Sequence, residues 1–469
     1  MKFSKDFIWG AATSSYQIEG AVNEDGRCPS IWDTYTHKEH ITHDGKNGDI
    51  TCDHYHRYKE DIALMRELGI NAYRFSIAWP RLFSYSKSKG KLTATPNEKG
   101  FDFYDRLIDE LLKNNIEPWI TLYHWDMPET LQNEGGFLTR EIADWGAEYA
   151  AAVSKRYSDR VTHYFTLNEM PCILGGYMGW KAPGLVKKRK DHLNVIHNML
   201  LTHGKMNQAL RAASTQKIIV SCAQNGLGNY PATDSKEDYE AFLKAMNCIE
   251  GAPYEYSPLP GSKRIMSDAL IYYLDPIHFG KYPEQAFKIF KGDMPKIKDG
   301  DMELISTPTE IQGINIYEGR PIASGSKGKY QDGWHIADYP DGMDRNAAKW
   351  PITPESMNKY FNFISDRYKK PIYITENGMS NADLISEDGK CHDPQRIEFM
   401  RRYLEKLSTS IENGADVRGY FHWSLLDNFE WENGFNERFG LVHIDYTTQK
   451  RTPKDSFYWY RDLIDSFRK

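Results

Sequence analysis

Two glutamates stand at the ends of short apolar runs, Glu169 directly after Asn168 and Glu376 directly before Asn377. Other reactive or hydrogen-bonding groups sit at the ends of comparable runs: Gln17, His124, Asn315 with Tyr317, and Trp423 followed by Glu430-Trp431. Arg74 lies within another such run. This set suits cleavage of an acetal. One carboxylic acid protonates the leaving oxygen, and one carboxylate meets the oxocarbenium-like carbon. Amides and flat indoles suit a polyhydroxylated ring, which offers hydroxyls at its edge and an apolar face. The sequence holds no Gly-rich phosphate loop, no serine elbow and no His/Cys cluster at metal spacing. No metal or other cofactor is expected.

Each of these residues has a plainer explanation when taken alone. A glutamate after a strand is usually a cap or a surface carboxylate, a strand arginine half of a structural ion pair, a tryptophan a packing residue. Joint placement is what counts, and that depends on the elements that carry them. Eight short runs rich in Ile, Val, Tyr, Phe and Trp recur along the chain, at 7–11, 72–77, 118–123, 163–167, 218–223, 311–316, 372–375 and 419–423. They read as buried parallel strands.

Helical periodicity fills the gaps. Asp53 is placed to N-cap a helix whose apolar face is Tyr55, Tyr58, Ile62, Met65 and Leu68, stopped by Gly69. Phe101, Tyr104, Leu107, Ile108 and Leu111 form a second face. Asp393-Pro394 reads as N-cap and first helical residue of a helix running to Asn413-Gly414. The last helix begins near Lys454. Eight βα units in series predict an α/β fold, a single (β/α)8 TIM barrel covering residues 1–469 as one catalytic domain. No GxGxxG turn supports a doubly wound sheet. The connections 23–52, 82–98, 230–264 and 319–354 are long, and in a barrel such extended βα loops form the active-site mouth. Reactive side chains then project from the C-terminal strand ends onto one face.

The local sequences carry a resemblance to a known family. Phe165-Thr166-Leu167-Asn168-Glu169 and Ile374-Thr375-Glu376-Asn377-Gly378 resemble the acid/base and nucleophile motifs of glycoside hydrolase family 1. Further matching segments follow in order from Phe7-Ile8-Trp9-Gly10, through Tyr73-Arg74-Phe75-Ser76 and Leu122-Tyr123-His124-Trp125, to Trp423-Ser424-Leu425-Leu426 and Arg438-Phe439-Gly440-Leu441. The resemblance implies a retaining β-glycosidase, a β-glucosidase first of all, with Glu376 as nucleophile and Glu169 as general acid and then base. It implies that Arg74, Tyr317 and Asn315 serve these carboxyls. It further implies that Gln17, His124, Asn168, Glu430, Trp431 and Phe439 grip the sugar, with Trp423 beneath its ring and Asn168 on the 2-hydroxyl. Trp180 and Trp334 are expected on the aglycone side. The implied substrates are cellobiose, cello-oligosaccharides and aryl or alkyl β-glucosides. Galactosidase or fucosidase side activity and transglycosylation are compatible with the same site.

Three features depart from the family pattern. Met170 intervenes between Glu169 and Pro171, and the stretch from Glu169 to Ala182-Pro183-Gly184 is short. Both lie beside the leaving group. The third, Ile316 at a position often aromatic, is expected to point away from the sugar by strand alternation. The alternatives are a 6-phospho-β-glucosidase, in which a Ser and a downstream Lys/Tyr pair take the place of Glu430, and a non-catalytic sugar-binding barrel, which would lack one glutamate.

Composition narrows the class further. The 469 residues are 40% hydrophobic and 26% charged with a net charge of −6, the balance of a globular protein with a large core. That acidity, with only the short basic run 187–190, argues against nucleic acid as a partner. No apolar run is long enough to cross a membrane, and the N-terminus has no signal-peptide core. The six cysteines show no paired spacing and read as thiols of a reducing compartment, so a cytoplasmic location is expected. The partner is then a small β-glucoside or short oligosaccharide, and homo-oligomers are compatible with the composition.

Overall fold

The computed structural model describes residues 1–249, 269–325 and 333–468. The parts of connections 230–264 and 319–354 at 250–264 and 326–332 lie outside the described residues. Eight parallel strands close into a barrel: β1 (Ile8–Ala12), β2 (Ala72–Ser76), β3 (Glu117–Tyr123), β4 (His163–Asn168), β5 (Ile219–Asn225), β6 (Gln312–Asn315), β7 (Ile372–Asn377) and β8 (Val417–Trp423). Each is hydrogen-bonded to the next, and β1 closes the ring by pairing with β8, Ile8 opposite Gly419 through Ala12 opposite Trp423. The barrel helices are α1 (His54–Leu68), α2 (Glu98–Lys113), α3 (Ile142–Tyr157), α4 (Arg189–Ala213), α5 (Leu270–Phe279), α6 (Lys359–Tyr368), α7 (Pro394–Glu412) and α8 (Asp455–Arg468).

The expected strands and helices are all present, but two capping assignments need correction. Asp53 does precede α1, yet it adopts a left-handed conformation (φ 52°) and caps no backbone N–H. Its carboxylate instead meets the His56 ring at 2.6 Å and Arg57 at 3.3 Å. Asp393 likewise precedes α7 without capping it. It is drawn into a buried ionic cluster, where it pairs with Arg396 and accepts from the backbone N–H (2.8 Å) and hydroxyl (2.6 Å) of Ser456. In both cases a charged partner, and not an N–H of the helix's own first turn, takes the carboxylate. Gly69 does end α1 as expected, at φ 77°, with its N–H bonded to the carbonyls of Met65 and Arg66.

The barrel interior below the site is filled with aromatic rings. Trp119 of β3 lies 5.0 Å from Phe421 of β8 and 5.0 Å from Tyr373 of β7, centroid to centroid. This plug makes the barrel a packed core rather than a pore. It leaves the C-terminal strand ends as the place where polar side chains can gather. Of the long connections, 82–98 is an antiparallel hairpin of Phe83–Ser88 with Lys91–Pro96. Parts of 230–264 and 319–354 form a three-stranded sheet, Trp334–Ile336 with Pro321–Ser324 and Tyr230–Pro231. No described helix is long and apolar enough to cross a membrane.

Candidate active site

The C-terminal ends of β4 and β7 present Glu169 and Glu376 to one cavity of about 360 Å³, lined also by His124, Asn315, Tyr317, Trp423, Glu430, Trp431 and Phe439. Strand pairing sets the level of these groups. Ala12 of β1 pairs with both Trp423 and Arg74, and Glu376 pairs with Asn315. The glycine of the Glu376-Asn377-Gly378 segment has a local cause. A Cβ on Gly378 would lie 1.8 Å from the carbonyl oxygen of Trp423, so only glycine lets β7 and β8 end this close together.

Glu376 is held at both oxygens. Arg74 donates to Oε1 at 2.7 Å, and the Tyr317 hydroxyl donates to Oε2 at 2.8 Å. The Arg74 guanidinium is itself immobilised, donating also to Thr121 Oγ1 (3.0 Å), the Thr375 carbonyl (3.0 Å) and Asn168 Oδ1 (2.6 Å). Glu169 receives one amide donor, Asn315 Nδ2, at 2.9 Å. Thr375 Oγ1 donates to Asn315 Oδ1 at 2.6 Å, which fixes which end of that amide faces Glu169.

Burial pushes the Glu376 carboxyl up to about 7. The Arg74 charge opposes that shift, repulsion from Glu169 adds to it, and the hydrogen bonds from Arg74 and Tyr317 draw it back. Removing Arg74 must therefore raise Glu376 further, and its ionised form would be reached only at higher pH. The acid limb of the pH profile of kcat/KM in Arg74→Met is expected to move to higher pH, with a loss of about 10²-fold at neutral pH. A pH profile superimposable on the wild type would refute this.

Around the carboxyls the walls are aromatic. His124 is sandwiched between Trp423 (5.7 Å, 19° between planes) and Trp431 (5.9 Å, 15°). Burial and the Arg74 charge hold its imidazole well below the usual range, so it is neutral, and its Nε2 accepts from Asn168 Nδ2 at 3.1 Å. Gln17 Nε2 donates to Asn428 Oδ1 (2.9 Å), the Phe429 carbonyl (2.9 Å) and Glu430 Oε2 (3.3 Å). Burial lifts the Glu430 carboxyl to about 8, opposed by the Lys181 charge. Three residues here, Trp125 (φ 75°), Glu169 (φ 49°) and Trp431 (φ 51°), hold left-handed backbone. Each such residue costs roughly 1 kcal/mol or more, a strain that clusters at functional sites.

The expected residues come together, Gln17, Arg74 and Asn168 from behind the lining through Glu430, Glu376 and His124, with one exception. Trp334 is not at the cavity. Its indole is buried in the main core, on the flanking strand Trp334–Ile336, because that strand pairs with Pro321–Ser324 and packs against the helix Lys236–Met246. Trp350, further along the same connection, lines the cavity in its place, 5.6 Å from Tyr317 and 5.8 Å from Phe439. Trp180 does line the cavity. Trp125, Lys181, Asn225 and Glu432 line it as well and were not singled out from sequence. Trp125 follows His124 in a segment already marked by resemblance, but nothing in the sequence signals Lys181 and Glu432, which meet across two loops.

A parallel barrel with paired carboxyls, a clamped arginine and an indole-walled cavity at its strand ends defines a barrel glycoside hydrolase. The profile of glycosyl hydrolase family 1 matches residues 1–468. Over 98% of both chains the sequence is 41% identical to beta-glucosidase A of Acetivibrio thermocellus. It is 37% identical to the aryl-phospho-beta-D-glucosidase of Bacillus subtilis over 98% of this chain and 97% of that one. A beta-glucosidase from Thermotoga maritima in complex with glucoimidazole shares the fold with a TM-score of 0.85 and 35% identity, covering 99% of each chain. The chain belongs to glycosyl hydrolase family 1 and is a glycoside hydrolase.

Proposed function

We propose that the protein is a retaining β-glucosidase that releases terminal non-reducing β-D-glucosyl residues from cellobiose, cello-oligosaccharides and aryl or alkyl β-glucosides. One observation carries this reading: Glu376 receives a guanidinium and a hydroxyl, whereas Glu169 receives a single amide. Two carboxyls in one water-poor site do not ionise independently, and the one with the stronger donors keeps the negative charge. Glu376 is then the nucleophile, and Glu169 holds the proton that passes to the leaving oxygen. Having given that proton away, Glu169 is a carboxylate, and with Glu376 esterified it acts as the base that takes a proton from the attacking water and so recovers its acid form. Asn315 holds Glu169 for both steps.

In the same reading Gln17, His124, Asn168, Glu430 and Trp431 bind the sugar hydroxyls, Trp423 and Phe439 flank its ring, and Trp180 faces the aglycone. The named relatives support glucose as the sugar. The whole chain acts as one catalytic domain, and fucoside or galactoside cleavage and transglycosylation accompany it at lower rates. Cysteines without a disulfide fit a cytoplasmic enzyme working on imported cellulose fragments.

The Bacillus relative keeps a phosphorylated substrate in view. Glu430 argues against it, although burial weakens the reason: it favours the neutral carboxyl, which repels a phosphate less than an ionised group would. Among the described residues that line the cavity the one Lys or Arg is Lys181, and its charge is already balanced by Glu432. Hydrolysis of nitrophenyl β-D-glucoside, followed by proton NMR, tests the proposal. β-Glucose should appear first. An α-anomer first would overturn retention, and faster cleavage of the 6-phosphorylated analogue would overturn the glucosidase assignment.

A further inference from the structure

The loop after β4 carries Glu169 and then walls the cavity with Pro171, Cys172, Trp180 and Lys181. Because the acid must stand beside the leaving oxygen, this loop encloses the aglycone half of the cavity. Lys181 does not point to bulk water. Its side chain is 22% exposed, its ammonium lies 4.8 Å from the centre of the Trp125 ring, and it meets Glu432 Oε2 at 3.1 Å. Glu432 belongs to the loop after β8 and is itself only 23% exposed. The ion pair thus joins two βα loops across the mouth, and both partners line the cavity.

We propose that Lys181, held by Glu432, is a specificity-determining residue that selects a hydroxylated sugar as the leaving group over an apolar aglycone. This rests on the β-glucosidase reading and refines its substrate class. An ammonium has three donors, of which Glu432 takes one, and Glu432 offers a further carboxylate oxygen. A sugar seated against the Trp180 side can hydrogen-bond to these groups as it displaces their water. An apolar aglycone displaces the same water and returns nothing, leaving charged groups dehydrated. The adjoining Trp125 and Trp180 rings supply the flat surfaces on which a pyranose face packs.

The test compares cellobiose with nitrophenyl β-D-glucoside in the wild type, Lys181→Met and Glu432→Gln, as the ratio of the two kcat/KM values. Both substrates share the glucosyl half, so any effect of Lys181 exerted through Glu430 cancels in the ratio. A hydrogen bond to a charged group corresponds to roughly tenfold or more. The cellobiose-to-aryl ratio should fall by more than about fivefold in Lys181→Met, through KM or kcat/KM for cellobiose, and Lys181→Arg should restore part of it. A smaller change in the ratio overturns the proposal. If Lys181→Met does not fold, Glu432→Gln decides, since it releases the ammonium with little change of volume and should lower the same ratio. A wild type inactive on both substrates would refute the glucosidase reading itself, an outcome distinct from an unchanged ratio.

Discussion

Glu376→Gly should lower kcat on every β-glucoside by on the order of 10⁴-fold or more, the scale expected when a covalent nucleophile is removed. The loss should be felt equally by sugar and aryl leaving groups, because no glycosyl-enzyme forms with either. The vacated space sits between Arg74 and Tyr317, two donors left without an acceptor. A small anion can occupy it, so azide should restore turnover of an activated aryl glucoside and yield the α-glycosyl azide. Product configuration is the informative measurement. A β-configured azide, or substantial activity without azide, would remove Glu376 from the nucleophile role.

Glu169→Gln should act differently on different substrates. A cellobiose leaving group needs its proton, and loss of a general acid costs about 10²- to 10⁴-fold. A nitrophenolate leaves without that help, so its first step should be far less affected. Equal losses on both would argue against the acid role.

Much of this site was legible in the chain. Buried parallel strands are short and apolar throughout, so the eight runs stood out, and each strand's end marked the level at which Glu169, Glu376, Arg74, Asn315 and Tyr317 would meet. The exceptions have physical causes. Asp53 and Asp393 stand where helix caps belong, but ionic partners three or four positions on, with the distant Ser456 for Asp393, took their carboxylates. Trp334 and Trp350 sit in one long connection with similar surroundings in sequence. Which indole turns to the cavity depends on the strand pairing of 334–336 with 321–324, a contact no local pattern encodes.

The barrel, and the two carboxyls it presents at its strand ends, follow from residue type and order, since local apolar runs and strand ends carry that information; the pairing of Arg74 and Tyr317 with Glu376 came from the resemblance to the family. The tertiary structure decided the electrostatics and the aglycone wall. The upward shifts of Glu376 and Glu430 come mainly from burial, which is a property of the closed cavity and not of either residue's neighbours in the chain. Lys181 and Glu432 are 251 positions apart, and only the closing of the barrel brings the loops after β4 and β8 close enough for one charge to meet the other.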